Sequence, residues 1–294
     1  MAADAQETPG AGETPASRSA AEILDHPRFE AARLVFLERQ LDLLVDRDTS
    51  RLLMSAQNNV AFTALICLHA TYREDDRGTW PTLTRLKDMV EVMGLGGRRT
   101  VDDYVSRLRH TGYVEATPAR GDGRVKLLRP TARMLALDRA YGEALLAPLG
   151  VMFGTAAYPP DLLADLAFHL AFRRVGATLM DNVPDIVARH PAIFRLGSRH
   201  AGSPVLIILL HKVVTGDSDR VDLSFSEIGE RIGVSRTHVR AVVQEAADHG
   251  LLTLDRQGRA VVATPALRQR YDGFLADLLA TQDLILKRVA ATRP

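Results

Sequence analysis

The clearest pattern of apolar and polar positions along the chain is a pair of short helices separated by a glycine-containing turn, in residues 224–250. Ser224 and Glu227 have the spacing of a capping box, so we expect a helix to begin there. Gly233 is typical of the end of such a helix, and Ser235 is typical of the N-cap of the next one. In that second helix, apolar side chains at i, i+3, i+4 and i+7 predict one buried stripe. Its members are Val239, Val242, Val243 and Ala246.

A hairpin is predicted directly after these two helices. Gly250 stops the second helix, and short apolar runs of β type follow at 251–254 and 260–264. The polar turn between the two runs carries Arg256 and Arg259. A proline then opens another helix.

The pattern of residues 224–269 occurs a second time, in residues 82–134. A hairpin tip is predicted between Arg120 and Arg124, and Pro130 takes the place of the helix-opening proline, Pro265 in the other copy. The matching buried stripe consists of Val101, Tyr104, Val105 and Leu108. Each copy is preceded by an apolar helix and followed by an amphipathic one, so the two copies account for most of the chain.

The remaining segments set the predicted organisation of the chain. An amphipathic helix is expected from Ile23 to about Val45, and residues 195–204 are expected to form a linker. Five parts follow from this pattern: a disordered tail (1–22), an N-terminal helix (23–50), a first module (51–150), a helical linker or scaffold (151–200) and a second module (201–294). The expected fold class is mainly α with small β-hairpins.

Each half of the chain resembles a winged helix-turn-helix module, most like those of the MarR-type bacterial transcriptional regulators. The resemblance rests on the stretches SEIGERIGVSRTHVRAVVQEAADHGLL and RRTVDDYVSRLRHTGYVE, each followed by a hairpin and a further helix. It covers roughly residues 58–149 and 203–289. A MarR-type protein has one such module per chain and dimerises through its terminal helices. The resemblance therefore implies tandem winged helix-turn-helix modules, joined by a helical scaffold and related by a pseudo-twofold axis.

In such a module the second helix enters the major groove, and the hairpin, or wing, contacts the backbone or minor groove. Arginine and glutamine on that helix can read guanine and adenine in bidentate fashion. The DNA-binding residues expected in the second module are Ser235, Arg236, Thr237, His238, Arg240, Gln244, Arg256 and Arg259. Those expected in the first module are Arg98, Arg99, Thr100, Arg107, Arg120, Arg124 and Lys126.

The distribution of charge favours the same two regions, although the net charge is only +1. Residues 231–270 contain seven arginines against three acids, and residues 96–133 contain nine lysines and arginines against four acids. The first module departs from the pattern, because Asp102 and Asp103 stand at the positions of Arg240 and Ala241. Carboxylates there repel phosphates, so the two modules are not expected to be equivalent readers.

The composition excludes several other classes of protein. No run of about 18 uncharged apolar residues is present, and the first residues lack an apolar segment of signal-peptide length, so we expect a cytoplasmic protein without a membrane span. The single cysteine, Cys67, excludes an internal disulfide framework and is expected to pack in the core. No metal-ligand spacing and no catalytic or nucleotide-binding motif is found, so no catalytic residue, metal or cofactor is expected and an enzyme is not indicated.

The predicted partner is double-stranded DNA, and the predicted function is transcriptional regulation. Two alternatives stay open: a replication initiator with tandem winged helices, and a chromosome-organising subunit whose winged helices bind protein. A small-molecule effector is a further open partner, although no residue marks its site. Because one chain would imitate a dimer, the sequence is compatible with a monomeric pseudo-dimer or a homodimer.

Overall fold

The computed structural model describes residues 17–216, 218, 220–222, 224–255 and 260–292. Within them the chain is mainly helical and carries two small antiparallel sheets, which confirms the expected fold class at that level. The first helix, α1 (Ala20–Leu24), begins inside the segment predicted to be a disordered tail. The predicted boundary at residue 22 is therefore wrong, and the rest of that tail, residues 1–16, lies outside the described residues.

Two helices, and not the single predicted one, occupy the region from Ile23 to Val45. The carboxylate of Glu22 and the hydroxyl of Ser19 cap α1 reciprocally. Pro27 has no N–H to continue a helix, so the chain turns and starts again as α2 (Phe29–Leu43). A short helix, α3 (Arg47–Leu52), follows and is capped by the carboxylate of Asp46.

In the first half of the chain, two helices and a hairpin follow an apolar helix. The elements are α4 (Ala56–Ala70), α5 (Leu83–Val92), α6 (Arg98–His110), β1 (Val114–Ala119), β2 (Asp122–Pro130) and α7 (Ala132–Phe153). The four predicted stripe positions of α6 are buried. Pro130 is the last residue of β2, opposite Val114, and does not open α7. The hydroxyl of Thr131 caps α7 by accepting from the N–H of Met134, so the helix needs no proline at its start.

Three shorter helices form the middle of the chain: α8 (Leu166–Ala177), α9 (Val183–Arg189) and α10 (Pro191–Ser198). Proline in the first turn opens both α9 and α10, because the first turn of a helix does not need its N–H groups. The predicted linker is wrong, because only residues 199–201 separate α10 from α11 (Gly202–Thr215). Gly202 makes this tight junction feasible, since a Cβ there would lie 1.9 Å from the carbonyl oxygen of Leu196.

The second half of the chain repeats the order of helices and strands found in the first. The elements after α11 are β3 (Arg220–Asp222), α12 (Phe225–Ile232), α13 (Arg236–Asp248), β4 (Leu252–Leu254), β5 (Ala260–Ala263) and α14 (Pro265–Ala291). β3 was not predicted, because three residues are too short to show a period of two. It pairs with β5 and gives a sheet of order β3-β5-β4. In the first half, a single bridge between Thr82 and Leu127 lies at the corresponding place.

Two long helices, α7 and α14, are fixed to their neighbours by aspartates. Asp138 of α7 is fully buried and accepts from both Arg173 of α8 (2.7 and 2.9 Å) and the Nε2 of His169 (2.6 Å). Asp272 of α14 accepts from Arg33 of α2 at 2.6 Å. Asp138, Arg173 and Arg33 are buried. Because a buried charge is stable only with its counter-ion, each pair restricts how the helices can slide past each other.

Asp277 and Asp283 make the same kind of contact further along α14. Asp277 accepts from Arg189 (3.0 Å) and His190 (2.6 Å), at the junction of α9 and α10. Asp283 accepts from the main chain and side chain of Arg18, just before α1, and from the hydroxyl of Tyr158. The N-terminal end of the described chain and the α9–α10 junction are therefore both fastened to α14.

Asp138→Asn is expected to destabilise the protein by about 3–5 kcal/mol, because Arg173 would remain buried without its counter-ion. Asp75→Asn is the matched control, since Asp75 lies 3.7 Å from Arg73 in an exposed pair worth at most about 1 kcal/mol. Unfolding in denaturant, followed by circular dichroism, measures both changes. Similar losses for the two variants would contradict a structural role for the buried pair.

The same carboxylate is expected to make stability sensitive to acid. Burial alone would raise the pKa of Asp138, but Arg173 and His169 outweigh it and hold the pKa below the ordinary value of 3.8. Its stabilising contribution is thus present above the unfolded-state pKa and is lost as the pH falls through the lower folded-state pKa. We expect the thermal midpoint of the wild-type protein to fall more steeply than that of Asp138→Asn below about pH 4. Parallel curves would show that the carboxylate does not carry this dependence.

Candidate nucleic-acid interface

The turn between α12 and α13 is built by close backbone contact. Gly233 ends α12 in the left-handed conformation (φ 74°, ψ 33°), as predicted. Gly229, one turn earlier, accepts a hydrogen bond from the N–H of Val234 at 2.9 Å, and a Cβ there would lie 2.5 Å from the Val234 carbonyl oxygen. The hydroxyl of Ser235 then accepts from the N–H of His238 at 3.1 Å. These contacts set the angle at which α13 leaves α12.

The outward face of α13 carries most of the side chains predicted to read DNA. Arg236, Thr237, Arg240 and Gln244 are exposed, and the predicted apolar stripe on the opposite face is at most 1% exposed. In the described part of the chain, no acidic group pairs with Arg236 or Arg240. The amide of Gln244 donates to Asp248 at 2.9 Å. Two uncompensated guanidinium groups therefore project from the N-terminal half of the helix, where the backbone N–H groups also favour anions.

His238 is held against the protein and is only half-exposed. Its Nε2 donates to the main-chain carbonyl of His200 at 2.6 Å, and the two imidazole rings meet edge to face at 5.3 Å between centroids. Since the carbonyl only accepts, the proton on Nε2 is fixed by this contact. His238 thus positions the start of α13. The sequence predicts a linker at residues 195–204 and therefore gives no sign of this role.

A second contact joins the α10–α11 junction to α13. The Nε of Arg199 lies 2.7 Å from a carboxylate oxygen of Glu245. Burial lowers the pKa of His200, with further contributions from His238 and from Arg107 of α6. Arg107 of α6 therefore acts electrostatically on His200, at the α10–α11 junction. Sequence spacing gave no signal for this interaction.

The basic residues of α6 are partly neutralised by neighbouring acids. Arg98 donates to Asp88 (2.6 Å) and Glu91 (2.9 Å) of α5, and these hydrogen bonds raise the pKa of its guanidinium. Asp102, in turn, pairs with Lys87 at 2.5 Å. The predicted reader Arg98 and the predicted repulsive carboxylate Asp102 are thus both engaged within the protein.

Three other predicted residues of α6 stay exposed. Arg99 and Thr100 lie in its first turn, and Arg107 lies near its end. The N-cap of α6 is Gly97, whose lack of a side chain leaves the first N–H groups without a capping hydroxyl. α6 therefore differs from α13 in lacking a side-chain cap, although both helices bury one apolar stripe and expose the opposite face.

The hairpin β1–β2 carries the predicted basic tip of the first module. Arg120 is highly exposed and lies 3.3 Å from Glu74, and the ammonium of Lys126 donates to the carbonyl of Gly123 at 3.1 Å. Arg124 is exposed. The corresponding tip residues of the second hairpin, Arg256 and Arg259, lie outside the described residues.

The described part of the chain contains no group of three or more His, Cys, Asp or Glu side chains that could hold a metal ion. Among the same residues, none of the helices is both long and apolar enough to cross a membrane. No protein-family model, curated protein or solved structure matches the chain.

Gly229→Ala is expected to destabilise the protein by about 1–3 kcal/mol, because the new methyl group would lie 2.5 Å from the Val234 carbonyl and open the α12–α13 turn. Gly97→Ala is the control, since Gly97 has an ordinary φ of −82° and a Cβ there meets nothing within 4 Å. Thermal unfolding of both variants tests this. A Gly229→Ala protein as stable as Gly97→Ala would mean that the turn does not need the close approach.

Proposed function

We propose that the chain is a DNA-binding transcriptional regulator that uses two winged helix-turn-helix modules. Helix α13 reads base edges in a major groove through Arg236, Arg240 and Gln244. The single observation that carries this proposal is the outward face of α13. It presents two unpaired arginines and a glutamine at i, i+4 and i+8, beside a capped helix N-terminus and above a fully buried apolar stripe.

The position of α13 supports a reading role more than a packing role. Solvated arginines on an ordinary surface helix need no fixed orientation. In α13, by contrast, the start of the helix is held by the cap of Ser235 and by the carbonyl of His200, and its C-terminal half is held by the ion pair of Glu245. A rigidly held helix presents its donors with little loss of conformational entropy on binding.

The first module is proposed to contact DNA mainly through the phosphate backbone. Arg99 and Arg107 of α6 and the hairpin residues Arg124 and Lys126 supply exposed positive charge, which binds phosphates without reading sequence. Arg98 is already satisfied by acids of α5. If the second module reads bases and the first binds phosphates, the DNA site is asymmetric. The bases that determine specificity then lie within the half of the site bound by the second module.

Arg236→Ala combined with Arg240→Ala tests the reading role of α13. Loss of a bidentate arginine contact costs about 1–3 kcal/mol, so we expect the double variant to bind its site at least tenfold more weakly and to lose preference at the bases concerned. The site is first obtained by selecting bound sequences from random DNA, and affinities are then measured by fluorescence anisotropy at fixed salt. Arg39→Ala with Arg139→Ala removes the same charge from exposed positions of α2 and α7 and is expected to bind normally.

Each outcome separates the proposal from its alternatives. Equal affinities of the two double variants would remove the proposed role of α13. Enrichment of iterated repeats, and not of a single asymmetric site, would favour a replication initiator. Absence of binding even at low salt would favour the protein-binding alternative, since real phosphate contacts weaken steeply with salt and are strongest at low ionic strength.

A further inference from the structure

A cavity of about 270 Å³ lies at the centre of the molecule, between the two halves. Its lining comes from α2, α4, the middle helices α8–α10, α11 and α14, together with α7. Most of the lining is apolar, and several lining side chains keep accessible surface although they belong to core helices. These are Val60, Ile207, Phe274 and Leu278. A space of this size is adequate for a small organic molecule.

Three side-chain amides in the lining carry polar atoms without a hydrogen-bond partner. They are the Nε2 of Gln40, the Oε1 of Gln282 and the Oδ1 of Asn59. Gln40 and Gln282 are 8% and 6% exposed. Buried polar groups are nearly always paired in folded proteins, so three unpaired amide groups that line one cavity point to a bound partner. The partner has to accept one hydrogen bond and donate at least one other.

The lining provides no free charge for an ionic ligand. Its single charged side chain is Arg173, whose guanidinium is engaged by Asp138 at 2.7 and 2.9 Å. Cys67 also lines the cavity, and burial raises the pKa of its thiol to about 12, so the thiol stays neutral. Burial likewise raises the pKa of Tyr141. An ionised molecule would therefore lose its hydration without gaining a counter-ion.

We propose that this central cavity binds an uncharged, mainly apolar small molecule that carries an amide group. The amide oxygen accepts from the Nε2 of Gln40, and the amide N–H donates to the Oε1 of Gln282. Whichever way the three side-chain amides are turned, each presents one donor and one acceptor end, and an amide ligand complements both.

The cavity is also connected mechanically to α13. Ile193, Phe194 and Gly197 of α10 line it, and α10 ends only one residue before Arg199. Arg199 and the residue after it, His200, hold α13 through the contacts with Glu245 and His238 described above. A ligand that moves α10 outward therefore moves the support of α13. This second step rests on the proposed function, and linkage requires ligand and DNA to affect each other's affinity equally.

Binding to the cavity is tested without DNA. The neutral fluorophore N-phenyl-1-naphthylamine serves as the reporter, and benzanilide, which is apolar and carries one secondary amide, serves as the competitor. Phenyl benzoate keeps the shape and lacks the N–H. We expect benzanilide to displace the reporter at least about tenfold better than phenyl benzoate, because the ester leaves a buried acceptor unpaired.

Two variants and a control locate the binding site. Gln282→Leu removes the amide at nearly constant size and is expected to abolish the preference for benzanilide over the ester. Ile207→Phe fills part of the cavity and is expected to weaken the reporter itself at least about tenfold. Gln269→Leu makes the same chemical change at an exposed position of α14 and is expected to bind like wild type. Circular dichroism and thermal unfolding verify that each variant is folded.

The outcomes are distinguishable from those of the DNA experiments. If neither the reporter nor benzanilide binds the wild-type protein, or if Gln282→Leu and Gln269→Leu behave alike, the cavity proposal is overturned whatever DNA does. If benzanilide binds as expected but leaves affinity for the selected DNA unchanged, the connection through α10 is wrong and the ligand site stands. If no DNA binding is found at all, only the proposed function fails.

Discussion

Paired aspartates on two long helices, two of them buried and two partly buried, fix the arrangement of the whole molecule. Asp138 holds α7 to α8, and Asp272, Asp277 and Asp283 hold α14 to α2, to the α9–α10 junction and to the segment before α1. Apolar contacts alone tolerate small slips of one helix along another, whereas a buried carboxylate tolerates only the register in which its cation is present. Because α7 and α14 each follow one of the hairpins, this register also determines where the basic helices α6 and α13 stand relative to each other.

The parts of this arrangement that could be predicted are those encoded over a few residues. The stripes of α6 and α13, the turn at Gly233 and the cap at Ser235 follow from periodicity and from the chemistry of helix ends. The aspartate pairs join residues from 31 to 265 positions apart, and no local pattern marks such partners. The same limit explains the missed β3, which gains its identity only by pairing with β5, and the missed junction at Gly202.

The candidate site likewise has features that the sequence predicts and features that it does not. The exposed face of α13 could be predicted, because alternation between a buried stripe and polar positions fixes which side chains point outward. Whether those side chains are free or paired with acids could not be predicted. Arg98 resembles Arg236 in sequence position, yet two acids of α5 engage Arg98 while Arg236 has no such partner in the described chain. The charge counts over residues 96–133 and 231–270 treat the two arginines as equal. Only the three-dimensional placement of Asp88 and Glu91 shows that Arg98 is paired.

Helix α10 lies between the central cavity and helix α13 and is bound at its start to α14. At its start, His190 is bound to Asp277 of α14, and just beyond its end His200 and Arg199 are bound to α13. Its middle lies against the central cavity, where a change of contents acts directly on Ile193 and Phe194. A shift of the middle of α10 therefore acts on the contacts at both of its ends. The contacts just beyond its C-terminal end, from His200 and Arg199, are also the ones that hold α13, which carries Arg236 and Arg240.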